Sequence, residues 1–357
     1  MPITAVDSIT PALEHTKQQL FKRFRIGQWT KLAFVGLLAG ELGSNGCNRS
    51  NFHFPFPGTV PETGLPHSLA ELGIDPALLA AFLTAAIVAS LAVGIILMYV
   101  SSVMRFVLFD SIIARECHIR WSWSRRLSPG WRYFVWKLLY VVLAAAFIAV
   151  TFGIPLAVAV AKGWLKQPGD HVPQLVLSGI VPVLLLLALA VVTAVVLTLM
   201  KDFVVPQMAL ENIDATEAWR RLWQMMQAEP GSYVAYIVMK IVLAIVVAIL
   251  IGIATLVVGL FLVVPTAALS ILAIITGKSA GLTWNAETIT LAVVVGTIVL
   301  GIFLYIVSLI SVPAIVFFPA YSMYFFAGRY PRLAAVLYPA APTPQVPAGA
   351  VHGSGVV

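Results

Sequence analysis

Apolar residues gather into six runs, at about 29 to 43, 76 to 104, 132 to 160, 174 to 200, 233 to 262 and 288 to 312, with shorter polar stretches between them. Residues 174 to 200 and 241 to 276 contain no charged side chain. About 20 apolar residues rising 1.5 Å each cover the roughly 30 Å hydrocarbon core of a bilayer, so these runs read as transmembrane helices. The first run is the weak one, because its strongly apolar part, Leu32 to Gly40, is short for a span. A secretory signal is disfavoured there, since Lys17, Lys22, Arg23, Arg25 and Lys31 are more than a charged leader region carries. Cys47 does not suggest a lipoprotein either, with Ser44 where an aliphatic residue would stand.

The runs follow an internal repeat. Lys22 and Arg23 precede Gly27, Trp29 and Lys31; Arg125 and Arg126 precede Gly130, Trp131 and Lys137; Arg220 and Arg221 precede Gly231, Tyr233 and Lys240. In each copy the glycine, joined later by Pro129 and Pro230, is expected to end a basic helix, and the aromatic residue to anchor the next span at the interface. The returning spans also match, closing at Arg105-Phe106-Val107, Lys201-Asp202-Phe203-Val204 and Val312 to Pro319. The predicted fold class is all-α, a polytopic transmembrane helical bundle of about six spans in three pseudo-repeats with cytoplasmic amphipathic helices. The repeats cover 1–109 (with an external loop at 44–75), 110–205 and 206–333, and a disordered tail occupies 334–357.

Composition and charge sharpen this picture. Hydrophobic residues make up 60% of the 357, charged ones 10%, and the mean hydropathy is +0.96, outside what a soluble domain sustains. Of the 22 lysines and arginines, only Arg49, Lys162, Lys166 and Lys278 fall on the side opposite the termini. The positive-inside rule therefore predicts both termini in the cytoplasm. The net charge of +7 reflects that orientation rather than nucleic-acid binding.

Local signals fix some boundaries. Asp75-Pro76 reads as a helix start, and Asp214 with Glu217 as a capping box for the Trp219-Arg220-Arg221 helix. Ala77, Ala81, Ala85 and Ala89 give the second span a small-residue face, expected to pack against another helix of the same chain. Gly259 and Pro265 lie midway in an apolar stretch twice a span's length, which predicts a break, with 263–276 as a re-entrant half helix before a loop at 277–287. Phe52, Phe54 and Phe56 are expected on the membrane surface from the external loop.

No catalytic constellation emerges. Glu41, Asp110, Lys137 and Lys240 fall near span ends, where snorkelling to headgroups explains them. The six histidines are scattered over loops and tails with no ligand spacing, and Cys47 and Cys117 are assigned to opposite sides. There is no phosphate-binding glycine loop, nucleophile elbow or Cys-x-x-Cys. No enzyme activity, metal or cofactor is expected.

The candidate site is the cytoplasmic surface, where Arg23, Arg25, Arg125, Arg126, Arg220 and Arg221 lie near Trp131 and Trp219, with Trp121, Trp123 and Trp223 close in sequence. Each cation near an anionic leaflet is worth about 1 kcal/mol, so the belt suits anionic lipid headgroups. Ordinary interfacial anchoring is the competing explanation. Membrane lipids and a membrane protein are the expected partners, and nucleic acid is not.

Three blocks carry a family likeness: Phe21 to Leu32 followed by Leu38-Ala39-Gly40, Phe203-Val204-Val205-Pro206 through Trp219-Arg220-Arg221, and Val316 to Phe325. Over residues 8 to 333 the chain resembles an uncharacterised group of bacterial multi-pass membrane proteins. It is more loosely similar to YciC-like proteins and to the membrane domain of some glycerophosphodiester phosphodiesterases. The likeness implies a bacterial membrane protein and no catalyst. Glu41 and the aromatic loop at 52 to 56 depart from the group's pattern. Two functions follow: lipid or protein binding without catalysis, or a carrier gated near Pro265 and Gly153-Ile154-Pro155. A polar midplane cavity would favour the carrier, and a dry packed interior would remove it.

Overall fold

A computed structural model describes residues 4–22, 25–41, 76–164, 171–279 and 286–338. Every regular element in them is helical. Two helices, α1 (Ile9–Leu20) and α2 (Ile26–Ala39), precede the 38-residue α3 (Pro76–Ile113). The short α4 (Ile119–Arg125) leads into α5 (Leu127–Ala161). Then α6 (Val172–Leu199) passes through a π-helical turn, Met200–Val204, into α7 (Val205–Glu211). The amphipathic α8 (Ala215–Ala228) precedes the 50-residue α9 (Pro230–Ser279). The chain closes with α10 (Ala286–Ile310), α11 (Val312–Ala327) and α12 (Pro331–Leu337).

Five stretches, within α3, α5, α6–α7, α9 and α10–α11, are long and apolar enough to cross a membrane. At 38 residues α3 is about 57 Å long, nearly twice a hydrocarbon core. The excess divides the molecule in two. Away from the packed end the helices expose Leu91, Val142, Leu187, Ile249 and Leu300, as lipid-facing surface must. At the other end the continuations of α3 and α6 and the starts of α5 and α9 pack with α1, α2, α7, α8, α11 and α12 into a core around Phe106, Phe203, Tyr236, Phe318 and Phe325. The Phe/Val clusters that close the returning runs all meet in this core.

The uncharged α11 is the central post, its side chains buried over most of its length between α1, α2, α3, the π turn and α12. Close approach is set by glycine. A Cβ on Gly36 would lie 2.5 Å from the Ile315 side chain, and one on Gly130 would lie 2.7 Å from Val103. The π turn has a chemical cause: Pro206 lacks an N–H, and the Val205 N–H reaches back to the Met200 carbonyl instead.

Several expectations are corrected. The first apolar run is a 14-residue helix of about 21 Å, too short to cross, and Gly40 ends it in the left-handed region at φ +78. Yet α1 and α12 both pack on α11, so the two ends of the chain share one face of the bundle. Five crossings alone would separate them. Residues 42–75, with the aromatic loop, Cys47 and the Asp75 cap, lie outside the described residues. The same holds for the connection at 280–285 and the tail beyond 338.

The predicted break in the fifth run is absent, because α9 continues through Pro265 to Ser279. There the Thr266 hydroxyl donates to the Leu262 and Val263 carbonyls and Ser270 to the Thr266 carbonyl, keeping polar groups satisfied inside the helix. The repeat glycines do not end helices either. Gly27, Gly130 and Gly231 lie in the first turns of α2, α5 and α9, and Pro230 takes the first helical position, where no N–H is needed. Asp214 precedes α8 but makes no capping bond, pairing with Arg132 at 3.3 Å while Glu217 pairs with Arg220 and Arg221. Ala81, Ala85 and Ala89 are exposed, so the face they form packs on no helix among the described residues.

Candidate functional site

The basic residues of the packed end separate into two kinds. Arg126 makes a forked pair with Asp110 at 2.8 and 2.6 Å and donates to the Ala209 carbonyl at 2.7 Å. Arg221 bridges Glu211 at 2.8 Å and Glu217 at 3.0 Å. These two hold α3, α4, α7 and α8 together. Both guanidiniums are engaged by carboxylates of the fold, Arg126 largely buried and Arg221 37% exposed. The Asp110 pair likewise replaces the interfacial role expected of that carboxylate.

Arg25, Arg125 and Arg220 face outward. Arg125 lies over the Trp121 ring at 5.2 Å, and Arg220 keeps Glu217 at 2.7 Å while its side chain is 70% exposed. Trp131 is exposed and packs edge-on against Tyr99, whereas Trp219 is half-buried beside Trp136. Trp121 and Trp223 are also exposed. Arg23 lies outside the described residues.

A second cluster is internal, and sequence reasoning missed it. Glu41, read as an interfacial anchor, is 2% exposed and accepts from the Lys201 ammonium at 2.7 Å, with the Arg105 guanidinium 3.9 Å away. Arg105 also donates to the Ala39 carbonyl at 2.6 Å. Asp202 accepts from Tyr236 at 2.9 Å and from Lys240, so Lys240 is a buried ion-pair partner rather than a snorkelling one. The π turn presents Lys201 to α2 and its neighbour Asp202 to α9. The one signal in the sequence is the adjacent Lys201-Asp202 pair, which closes an otherwise apolar run.

Burial alone would raise the Glu41 carboxyl, but the Lys201 ammonium and Arg105 guanidinium outweigh it and hold the pKa down to about 2. On α1, His15 is not a loop histidine. It is buried between the Tyr324 hydroxyl at 3.2 Å and the Ile112 carbonyl at 3.1 Å, and burial followed by the nearby Arg115 charge lowers its pKa.

The internal cluster borders a space of only about 20 Å³, lined by Glu41, Arg105, Lys201, Asp202, Pro319 and Ser322 among others. A larger gap of about 490 Å³ opens between α5 and α6 around Ile154, Pro155, Trp164 and Pro182, and its lining is almost wholly apolar.

These features define a multi-pass helical membrane protein with a packed, charge-rich end. The sequence model of a family of unknown function (DUF7544) matches residues 3–336, so the chain belongs to that family. No curated protein and no solved structure matches the chain. The looser likeness to YciC-like proteins and to the phosphodiesterase-linked membrane domain thus has no support among these comparisons.

Proposed function

We propose that this protein is a non-enzymatic component of the bacterial cytoplasmic membrane, with both termini inside the cell, that binds anionic lipid headgroups at its packed end. A membrane protein partner would dock on that same end. The observation that carries the reading is the division of the arginines. Arg25, Arg125 and Arg220 are exposed, Arg125 over the exposed Trp121 ring, whereas Arg126 and Arg221 pair with carboxylates of neighbouring helices. Exposed cations next to indoles at the edge of an apolar belt match the chemistry of phosphate headgroups.

A carrier has weaker support. The polar space has room for about one water, α9 is unbroken, and the larger gap offers almost no polar group to a solute. No activity is borrowed from phosphodiesterase-linked proteins.

The test is native mass spectrometry of the detergent-released chain with phosphatidylglycerol and phosphatidylcholine. Replacing Arg25, Arg125 and Arg220 together by Gln should cut retention of the anionic lipid by roughly tenfold or more, at about 1 kcal/mol per cation, and leave Tm nearly unchanged. Replacing Arg126 or Arg221 should chiefly lower Tm. Undiminished, phosphatidylglycerol-selective retention in the triple variant would refute the assignment.

A further inference from the structure

The apolar gap between α5 and α6 has a built mouth at the end of the molecule away from the packed core. Gly163 takes the left-handed region at φ +71, and the Trp164 N–H turns back to the Ala159 carbonyl at 3.0 Å. That turn brings the Trp164 indole into the lining, beside the His171 ring at 6.1 Å and under the Lys162 ammonium at 5.6 Å. Lys162 is exposed and pairs with no carboxylate among the described residues. The segment it opens carries a second lysine, Lys166, against one aspartate, Asp170. From this mouth the lining runs along α5 from Val158 to Val150 and along α6 from Gln174 to Leu185, about 12 to 17 Å at 1.5 Å per residue. One leaflet, half of the roughly 30 Å hydrocarbon core, has much the same depth. Water is a poor occupant, since each molecule needs about two to four polar partners, whereas the lining is almost wholly apolar and the Ser178 hydroxyl is given to the Leu175 carbonyl at 2.9 Å. Left empty, about 490 Å³ would deprive the lining of contacts on one side. The medium around both helices, to which Leu156 and Leu184 are exposed, is hydrocarbon chains.

We propose that this gap holds one acyl chain of a glycerophospholipid from the leaflet opposite the packed end, with the lipid phosphodiester at Lys162. The chain supplies the missing contacts along Ile154, Pro155 and Pro182, and the Trp164 indole covers it where it meets the glycerol backbone. A cation beside an indole at the edge of the hydrocarbon suits a phosphate. The site stands at the other end of the molecule from Arg25, Arg125 and Arg220 and does not depend on lipid binding there.

The experiment uses the full chain in uncharged detergent with substoichiometric phosphatidylglycerol that carries a photoreactive diazirine in its acyl chain, and adducts are mapped by peptide mass spectrometry. They should concentrate in 150–158 and 174–185, and unlabelled phosphatidylglycerol should compete them away saturably. Thr151→Phe and Ser178→Phe, on facing helices, each fill the gap. Both should keep Tm and lose most of the labelling there. Lys162→Gln should raise the competitor concentration needed by about fivefold, the share of one interfacial cation. Replacing Arg25, Arg125 and Arg220 together should leave this labelling intact, so the loss of one lipid site is distinguishable from the loss of the other. Adducts spread evenly over exposed faces such as those of Leu91 and Ile249 would mean annular lipid only, and a helix of a second copy seated in the gap would leave it unlabelled. Either result overturns the proposal, as does labelling undiminished in both phenylalanine variants or a competition curve unmoved by Lys162→Gln.

Discussion

Arg125 and Arg126 are neighbours in sequence and opposites in role, one stacked over Trp121 at the surface, the other locked on Asp110. Their identity was legible, but their division was not, because it depends on a carboxylate sixteen residues away on another helix. Histidine 15 shows the same limit. In sequence it is one histidine of six; in the fold it joins α1 to α3 and α11 through Ile112 and Tyr324. Burial and Arg115 lower its pKa, so the unfolded chain takes up a proton near pH 6.5 while the folded chain still resists it. Stability then rises with pH where the unfolded state binds more protons. Lowering pH below about 6.5 should depress Tm, with a slope of at most about 1.4 kcal/mol per pH unit from this group. His15→Gln, which keeps a polar side chain, should flatten that part of the profile. A profile identical to that of the unaltered chain would show that His15 is not its source.

At the level of elements, hydropathy found the long helices because lipid imposes apolar residues over about 20 positions whatever the neighbours are. It failed where packing decides. The run at 29 to 43 ends at Gly40 as a short helix against α3 and α11, and Pro265 does not interrupt α9. Proline is tolerated in membrane helices, and here the adjacent Thr266 hydroxyl is itself satisfied by the Leu262 carbonyl one turn back. The glycines divide along similar lines. Gly27 has nothing within 4 Å of an added Cβ, whereas one on Gly36 would enter Ile315. Gly27→Ala should therefore leave stability unchanged or raise it by about 0.4–1 kcal/mol. Gly36→Val should lower it by about 1–3 kcal/mol through overpacking against α11. Thermal denaturation in one detergent compares the two. A similar loss for both would mean that α2 does not rest on α11 as described.

For the whole molecule, the buried charges mark where the returning segments meet. Amphipathic or basic helices precede α2, α5 and α9, and the returning segments of α3, α6 and α11 bring Arg105, Lys201 with Asp202, and Ser322 to one place. The likeness among the three stretches was visible in sequence, but not that their ends converge on a shared charged centre, since no single copy contains it. Chain direction then gives a strong test of topology. With α1 and α12 on the same face of α11, single cysteines in both terminal regions should react with a membrane-impermeant maleimide from the same side. Cysteines in the connections after α5 and α9, at Lys162 and in 280–285, should react from the other. In the proposed orientation, with the termini in the cytoplasm, only the connections should label in intact spheroplasts, and the termini only after lysis. Labelling of one terminus but not the other in intact cells would require an odd number of passages. It would also separate α1 from α11, whose contact closes the packed end.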